Sequence, residues 1–129
     1  RKESSAASDV YKRQIQNGVN EFIKTPKLDE LFEKYAIEVG EEVSYDDFGF
    51  GSTDTGNVSH IVPTIHPHVK IGSRNLVGHT HRFREAAASV HGDQALIRGA
   101  KIIALMGLEL IENKKLFDEV VEQHSQIKG

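Results

Sequence analysis

TIHPHVKI, at residues 64–71, alternates between apolar and polar side chains. Alternation with a period of two is typical of a β-strand that has one buried face and one exposed face. Pro67 has no N–H to donate to a neighbouring strand, so the predicted strand lies at a sheet edge, is bulged, or is broken at this residue. The apolar face comprises Ile65, Val69 and Ile71, and the polar face comprises His66, His68 and Lys70.

A helix is predicted before this strand, over residues 26–39. Its apolar side chains recur at the three- and four-residue spacing of a helix with one buried face. Thr25 is a candidate N-cap, and Pro26 suits the first helical position. Gly40 is suited to the residue that ends the helix.

Two further helices are predicted after the strand, over residues 93–113 and 114–127. The predicted buried face of the longer helix comprises Leu96, Ala100, Ile103, Gly107 and Leu110, widened by Ile97, Ala104, Leu108 and Ile111. A single strand cannot form a sheet. This order of elements therefore predicts an incomplete, helix-rich α/β layer whose partner strands lie in sequence upstream of this chain.

The charge and cysteine content exclude several classes of protein. The 129 residues carry a formal net charge of −3, which argues against a basic nucleic-acid binder or a polybasic membrane-surface protein. The absence of cysteine excludes disulfides and thiolate metal ligands. The longest apolar-rich stretch, residues 102–110, is far shorter than the about 20 residues that span a bilayer. A soluble cytoplasmic protein, without nucleic-acid or membrane partners, is therefore expected.

The N-terminal edge differs from the rest of the chain. It opens at Arg1 without an initiator methionine, so we expect the chain to be part of a longer protein. Residues 3–14 are polar and follow neither a helical nor a strand period. We interpret residues 1–14 as a disordered or artefactual edge that resembles translated adapter sequence. A natural flexible linker is the alternative.

Histidine is the residue type that most strongly suggests chemistry. The chain has seven histidines, and five of them fall within 22 positions: His60, His66, His68, His79 and His81. Imidazole without nearby thiolate suits zinc, manganese or cobalt. Two loops rich in glycine and small polar residues, 45–59 and 72–82, carry part of this cluster, and loops commonly carry functional sites. For each single histidine the alternative is a partly exposed strand or loop residue.

Two strings at a fixed separation carry a resemblance to a known family. GSTDTGNVSHIVPTIHPHVKIG, at residues 51–72, is followed by GHTHRFREAA at residues 78–87 and by a long alanine-rich helix. Together they resemble the C-terminal segment of the catalytic domain of zinc-dependent metallopeptidases and amidohydrolases. Members of this superfamily include aminoacylases, aminobenzoyl-glutamate hydrolases, glutamate carboxypeptidases and Xaa-Arg-type dipeptidases. The resemblance covers residues 28 to about 123.

The resemblance implies a fold and an activity for the longer protein. The fold is a three-layer α/β sandwich, the catalytic domain, interrupted by a lid and dimerisation domain. Residues 15–129 would be the C-terminal segment of the catalytic domain, which follows the inserted domain, so this chain would form only part of the sandwich. The activity is hydrolysis of an amide bond in dipeptides or N-acyl amino acids, with two zinc ions, or manganese or cobalt, in a homodimer. Most metal ligands and the glutamate general base would lie upstream, so this chain alone is expected to be inactive. The alternatives are a catalytically dead member that acts as a binding or regulatory partner, and a stand-alone histidine-rich metal-binding module.

The resemblance also assigns individual residues. His79 matches the family's final metal ligand, in the loop before the long helix. Ser52, Thr53 and Asp54 match an S-T-D loop beside the active site. Asp54 would orient a metal ligand or a substrate-binding group, and capping of its own loop is the alternative. Gly56 and Asn57 suit a tight backbone near a cleft.

The other histidines receive weaker interpretations. His81 departs from the family pattern and is interpreted as a neighbour of the site. His60 and His66 are interpreted as structural residues or as neighbours of a ligand, and no role is assigned to His68. His91 and His124 are predicted to lie on the surface.

Overall fold

In the computed structural model, residues 18–45 and 53–129 are described. The predicted edge at residues 1–14 and the loop residue Ser52 lie outside the described residues. Within the described ranges the chain forms five helices, which are α1 (Pro26–Glu38), α2 (Thr55–Ser59), α3 (His81–Ala87), α4 (Val90–Glu112) and α5 (Lys114–Lys128). The helix α1 packs against both α4 and α5, and α4 also contacts α3 and α5.

The predicted α/β sandwich is wrong, because the described residues contain helices and no strand. Residues 64–71 alternate as predicted, with Ile65, Val69 and Ile71 half-buried and the intervening polar side chains exposed. Their apolar side packs on helices instead of joining a sheet. Ile65 contacts the core, and Val69 Cγ2 lies 3.5 Å from where a Cβ on Gly99 of α4 would be. Alternating apolar and polar side chains indicate that one side of an extended stretch is buried and the other is exposed. The surface of a helix can bury the apolar side as well as a second strand can.

The first helix forms as predicted. Thr25 precedes it in an extended conformation, and Pro26 occupies its first turn. Leu28, Leu31 and Ala36 are buried, as the apolar spacing predicts. Gly40 follows the helix with φ 89°, a left-handed conformation that glycine adopts without steric cost.

The core lies where α1 crosses α4. Leu31 and Ala36 of α1 form one buried cluster with Ile102 and Met106 of α4. Partly buried apolar side chains surround this cluster: Phe32, Tyr35, Val39, Val43, Ile65, Leu110 and Leu116. The long helix and the first helix are therefore the frame on which the extended stretch at residues 64–71 is held.

The face of α4 that meets α1 differs from the predicted face. Ala95, Ile102 and Met106 are buried, whereas Leu96 and Ile103 are 71% and 72% exposed. Apolar side chains occupy most of the circumference of this helix, so their spacing does not determine which face packs. The buried face is displaced by one residue from the predicted one. The result is a helix with an exposed apolar face.

Polar contacts add to the packing between α1 and α4. Lys34 Nζ lies 2.8 Å from Glu109 Oε2, and the Tyr35 hydroxyl donates to the same oxygen at 2.5 Å. Arg98 pairs with Glu41, which follows α1 in the chain. Among the described residues, no helix combines the length and the apolar character that a membrane span requires.

Candidate functional site

The segment that contains α2 is held tightly against residues 18–23. The Asn57 side chain accepts from the Asn20 N–H and donates to the Gly18 carbonyl oxygen, both at 2.8 Å. A Cβ on Gly56 would lie 2.1 Å from the Asn20 carbonyl oxygen, so only glycine permits this approach. These contacts confirm the tight backbone predicted at Gly56 and Asn57, and its place near a cleft stays a prediction.

Ser59 and His124 form a buried polar contact at the end of this segment. The Ser59 hydroxyl accepts from the Ile23 N–H at 2.9 Å and donates to the Gly56 carbonyl oxygen at 2.5 Å. His124 on α5 donates its Nε2–H to the Ser59 carbonyl oxygen at 2.6 Å. The adjacent His60 uses its Nε2–H to donate to the Glu21 carbonyl oxygen at 3.0 Å. His60 therefore has a structural contact, one of the two interpretations made for it.

The predicted surface position of His124 is wrong, because its side chain is only 5% exposed. The signal was present in the spacing of α5, where Leu116, Val120 and His124 recur every four residues and share one helical face. Burial of this imidazole is possible because the Ser59 carbonyl oxygen supplies the partner that a buried N–H requires. Neither Ser59 nor His124 was recognised from the sequence as part of this arrangement.

Thr25 is a second buried polar residue that sequence reasoning did not single out beyond capping. It is fully buried, and its hydroxyl has no hydrogen-bond partner among the described residues. Its side chain does not cap α1, although its carbonyl oxygen accepts from the Leu28 N–H at 2.9 Å.

Asp54 immediately precedes α2 at its N-cap position. Its carboxylate makes no cap hydrogen bond. The loop capping that was the alternative interpretation is made by Thr53 instead, whose hydroxyl accepts from the Thr55 N–H at 3.3 Å. The Asp54 carbonyl oxygen accepts from the Asn57 N–H at 2.9 Å, which is the first backbone hydrogen bond of α2. The Asp54 side chain is exposed. The proposed orienting role of this carboxylate stays a prediction.

Threonine hydroxyls connect the start of α2 to the extended stretch. Thr55 Oγ1 donates to Thr53 Oγ1 at 3.2 Å, and it lies 3.4 Å from His66 Nδ1. The rings of His66 and His68 lie side by side, with their centroids 5.2 Å apart. The structure therefore brings together Thr53, Thr55, His66 and His68 on one side of the molecule.

His79 lies in the turn that leads into α3. It is exposed and has φ 59°, a left-handed conformation that is uncommon for a residue with a Cβ. The next residue, Thr80, caps α3 by accepting from the Phe83 N–H at 3.2 Å. His81 is the first residue of α3 and His91 lies in the first turn of α4, and both are exposed. The predicted surface position of His91 is confirmed.

The histidines and acids do not converge on a complete metal centre within the described ranges. A catalytic zinc ion takes three protein ligands and keeps a fourth position open. No group of three or more His, Cys, Asp or Glu side chains in residues 18–45 and 53–129 is arranged to hold a metal ion. The residues that the structure describes therefore do not fit a zinc catalytic centre by themselves.

Comparison with known proteins adds a partial match. No family model matches this chain. The chain is 43% identical over 72 residues to the Xaa-Arg dipeptidase of Homo sapiens, a stretch that is 56% of this chain and 16% of the human protein. It is 41% identical over 70 residues to the Xaa-Arg dipeptidase of Mus musculus, covering 54% of this chain and 16% of the mouse protein. These matches support a relationship to dipeptidases.

Proposed function

We propose that this chain is part of a longer hydrolase that cleaves the amide bond of dipeptides or N-acyl amino acids. The observation that carries the proposal is the 43% identity over 72 residues to an Xaa-Arg dipeptidase. By the same similarity, dipeptides that end in arginine are the first substrates to test. The homodimer and the zinc ions that the resemblance implies belong to this proposal too.

The exposed apolar face of α4 supports the view that more protein packs against this chain. Leu96, Ile103 and Ile111 are 71%, 72% and 82% exposed. Contiguous apolar surface of this kind commonly marks a face that is covered by other protein. The matched stretch spans only 16% of each relative, which leaves ample sequence for that packing.

His79 is the residue that we propose to take part in the reaction, as one metal ligand. Its left-handed backbone supports the proposal, since non-glycine residues in this conformation cluster at functional sites. Its exposure leaves the ring accessible to groups outside this chain. The remaining ligands would come from outside the described ranges, because residues 18–45 and 53–129 contain no group of three.

The proposal is tested by comparing the longer protein with the 129-residue chain. Both are incubated with Xaa-Arg dipeptides and N-acyl amino acids, and the released amino acid is measured by mass spectrometry. The longer protein is expected to hydrolyse at least one of these substrates, and the isolated chain is expected to hydrolyse none. A longer protein that binds these compounds without cleaving them would favour the alternative of a catalytically dead binding partner.

A further inference from the structure

We propose that His66 and His68 form a two-imidazole binding site for a divalent transition-metal cation, separate from His79. This inference goes beyond the proposed hydrolase activity and does not rest on it. Both side chains are exposed and project from the polar side of residues 64–71. Their ring centroids are 5.2 Å apart, and the ring planes are inclined by 36°.

The separation of the rings suits coordination of one ion. A tetrahedral zinc ion bound by two imidazole nitrogens, with bonds of about 2.0–2.1 Å, places the two ring centroids about 5 Å apart. The observed 5.2 Å corresponds to that spacing. The two rings can therefore share a cation by side-chain rotation, without a rearrangement of the backbone.

The backbone that carries the two histidines is held in place. Pro67 lies between them and restricts the chain through its fixed φ. On either side of the pair, Ile65 packs on the core and Val69 lies against Gly99 of α4. Because this backbone is held before a cation arrives, binding loses little backbone conformational entropy.

Thr55 favours the His66 tautomer in which Nε2 carries the lone pair that binds a cation. Its hydroxyl donates to Thr53 Oγ1, which leaves its oxygen as an acceptor for His66 Nδ1, 3.4 Å away. A proton on Nδ1 leaves the lone pair of His66 on Nε2. Metal-bound histidines commonly donate their other ring N–H to an oxygen in this way. Thr55 is therefore a positioning residue for the site.

The chemistry of the ligands selects the cation. Two imidazole nitrogens favour Cu²⁺, Ni²⁺ and Zn²⁺ over Mn²⁺, and imidazole does not suit Mg²⁺ or Ca²⁺. Water molecules would complete the coordination sphere, because the described residues supply no group of three protein ligands.

The test is calorimetric titration of the tag-free 129-residue chain with Zn²⁺, Ni²⁺ and Mg²⁺. We expect one Zn²⁺ or Ni²⁺ per chain and no Mg²⁺. His66→Ala and His68→Ala are each expected to weaken binding by more than about tenfold, since even changes to residues around a metal site cost about 10–100-fold. Thr55→Val is expected to weaken binding by about tenfold through the lost orientation of His66.

His91→Ala, at an exposed position without an assigned role, is the matched control and should keep full affinity. His66, His68, His79 and His91 are exposed, so we expect the variants to keep their helices. Far-UV circular dichroism checks this. The proposal is overturned if the wild-type chain binds neither Zn²⁺ nor Ni²⁺. It is also overturned if His79→Ala abolishes binding while His66→Ala does not.

Discussion

His124 on α5 donates its Nε2–H to the carbonyl oxygen of Ser59, 2.6 Å away and 65 positions earlier in the sequence. This contact joins the last helix to the segment that carries Asp54 and His60. It is buried, so water cannot replace it without a cost in free energy.

Loss of this contact should lower the stability of the chain. His124→Ala leaves the Ser59 carbonyl oxygen without its donor and is expected to reduce the free energy of unfolding by about 1–3 kcal/mol. Urea denaturation followed by circular dichroism measures the change. His91→Ala, at an exposed position, should stay within about 0.5 kcal/mol of the wild type. Equal stability of the two variants would show that the His124 contact contributes nothing.

Substitution of Gly56 and of Gly107 by alanine should change the stability of the chain in opposite directions. A Cβ on Gly56 would meet the Asn20 carbonyl oxygen at 2.1 Å, whereas a Cβ on Gly107 would meet nothing within 4 Å. Gly56→Ala is expected to destabilise the chain by about 1–3 kcal/mol through overpacking. Gly107→Ala, in the interior of α4, is expected to stabilise it by about 0.5–1 kcal/mol. Thermal melts of the two variants measure these changes in stability. Stabilisation by Gly56→Ala would contradict the close approach of Gly56 to Asn20.

Thr25→Val should stabilise the chain, which is unusual for a substitution at an N-cap position. The buried threonine hydroxyl has no partner within residues 18–45 and 53–129 and makes no cap hydrogen bond. Valine therefore removes an uncompensated polar group and keeps the shape. The expected gain in the free energy of unfolding is roughly 1 kcal/mol. Thr25→Ser, which keeps the hydroxyl, is the control and should give no gain. A loss of stability in Thr25→Val would mean that the hydroxyl has a partner in solution.

The contact between α1 and α4 should make stability depend on acid pH. Hydrogen bonds from Lys34, and then from Tyr35, hold the pKa of Glu109 below its ordinary value of 4.5. Because this pKa is lower in the folded state, the ionised carboxylate stabilises the fold at neutral pH. That contribution is lost as the pH falls below 4.5 through the folded pKa.

Urea denaturation on both sides of this pH window measures the effect. Glu109→Gln is expected to lower stability at neutral pH and to lose less stability on acidification than the wild type. Glu112→Gln, at an exposed position on the same helix, should leave the pH profile unchanged. If stability depended on pH in Glu109→Gln as it does in the wild type, Glu109 would not be the source of the acid sensitivity.

Local structure could be predicted from the sequence more successfully than contacts between distant residues. Pro26 and Gly40 predicted where α1 begins and ends, because such signals depend on neighbouring residues alone, although the Thr25 side chain makes no cap hydrogen bond. The alternation at residues 64–71 predicted the buried and exposed sides correctly, but not the absence of a strand among the described residues. Whether an extended stretch meets a strand or a helix depends on packing that its own spacing does not encode.

The same limit applies to the candidate site. The spacing of α4 offered several apolar faces, and only the position of α1 selects the face with Ile102 and Met106. The contact between His124 and Ser59 joins residues far apart in the chain, so no local pattern reveals it. By contrast, the glycine and asparagine at positions 56 and 57 indicated a close backbone approach, which the structure contains.

Amide hydrolysis by the longer protein, measured for His79→Ala and His91→Ala side by side, tests whether His79 is a metal ligand of a hydrolase. Turnover of an Xaa-Arg dipeptide is measured by mass spectrometry, and bound metal by elemental analysis. We expect His79→Ala to lower turnover by about 10–100-fold or more and to reduce bound metal, because a ligand is lost. His91→Ala should change neither quantity. Full turnover and full metal content in His79→Ala would contradict the proposed role of this residue, and a wild-type protein that cleaves neither dipeptides nor N-acyl amino acids would contradict the proposed function itself.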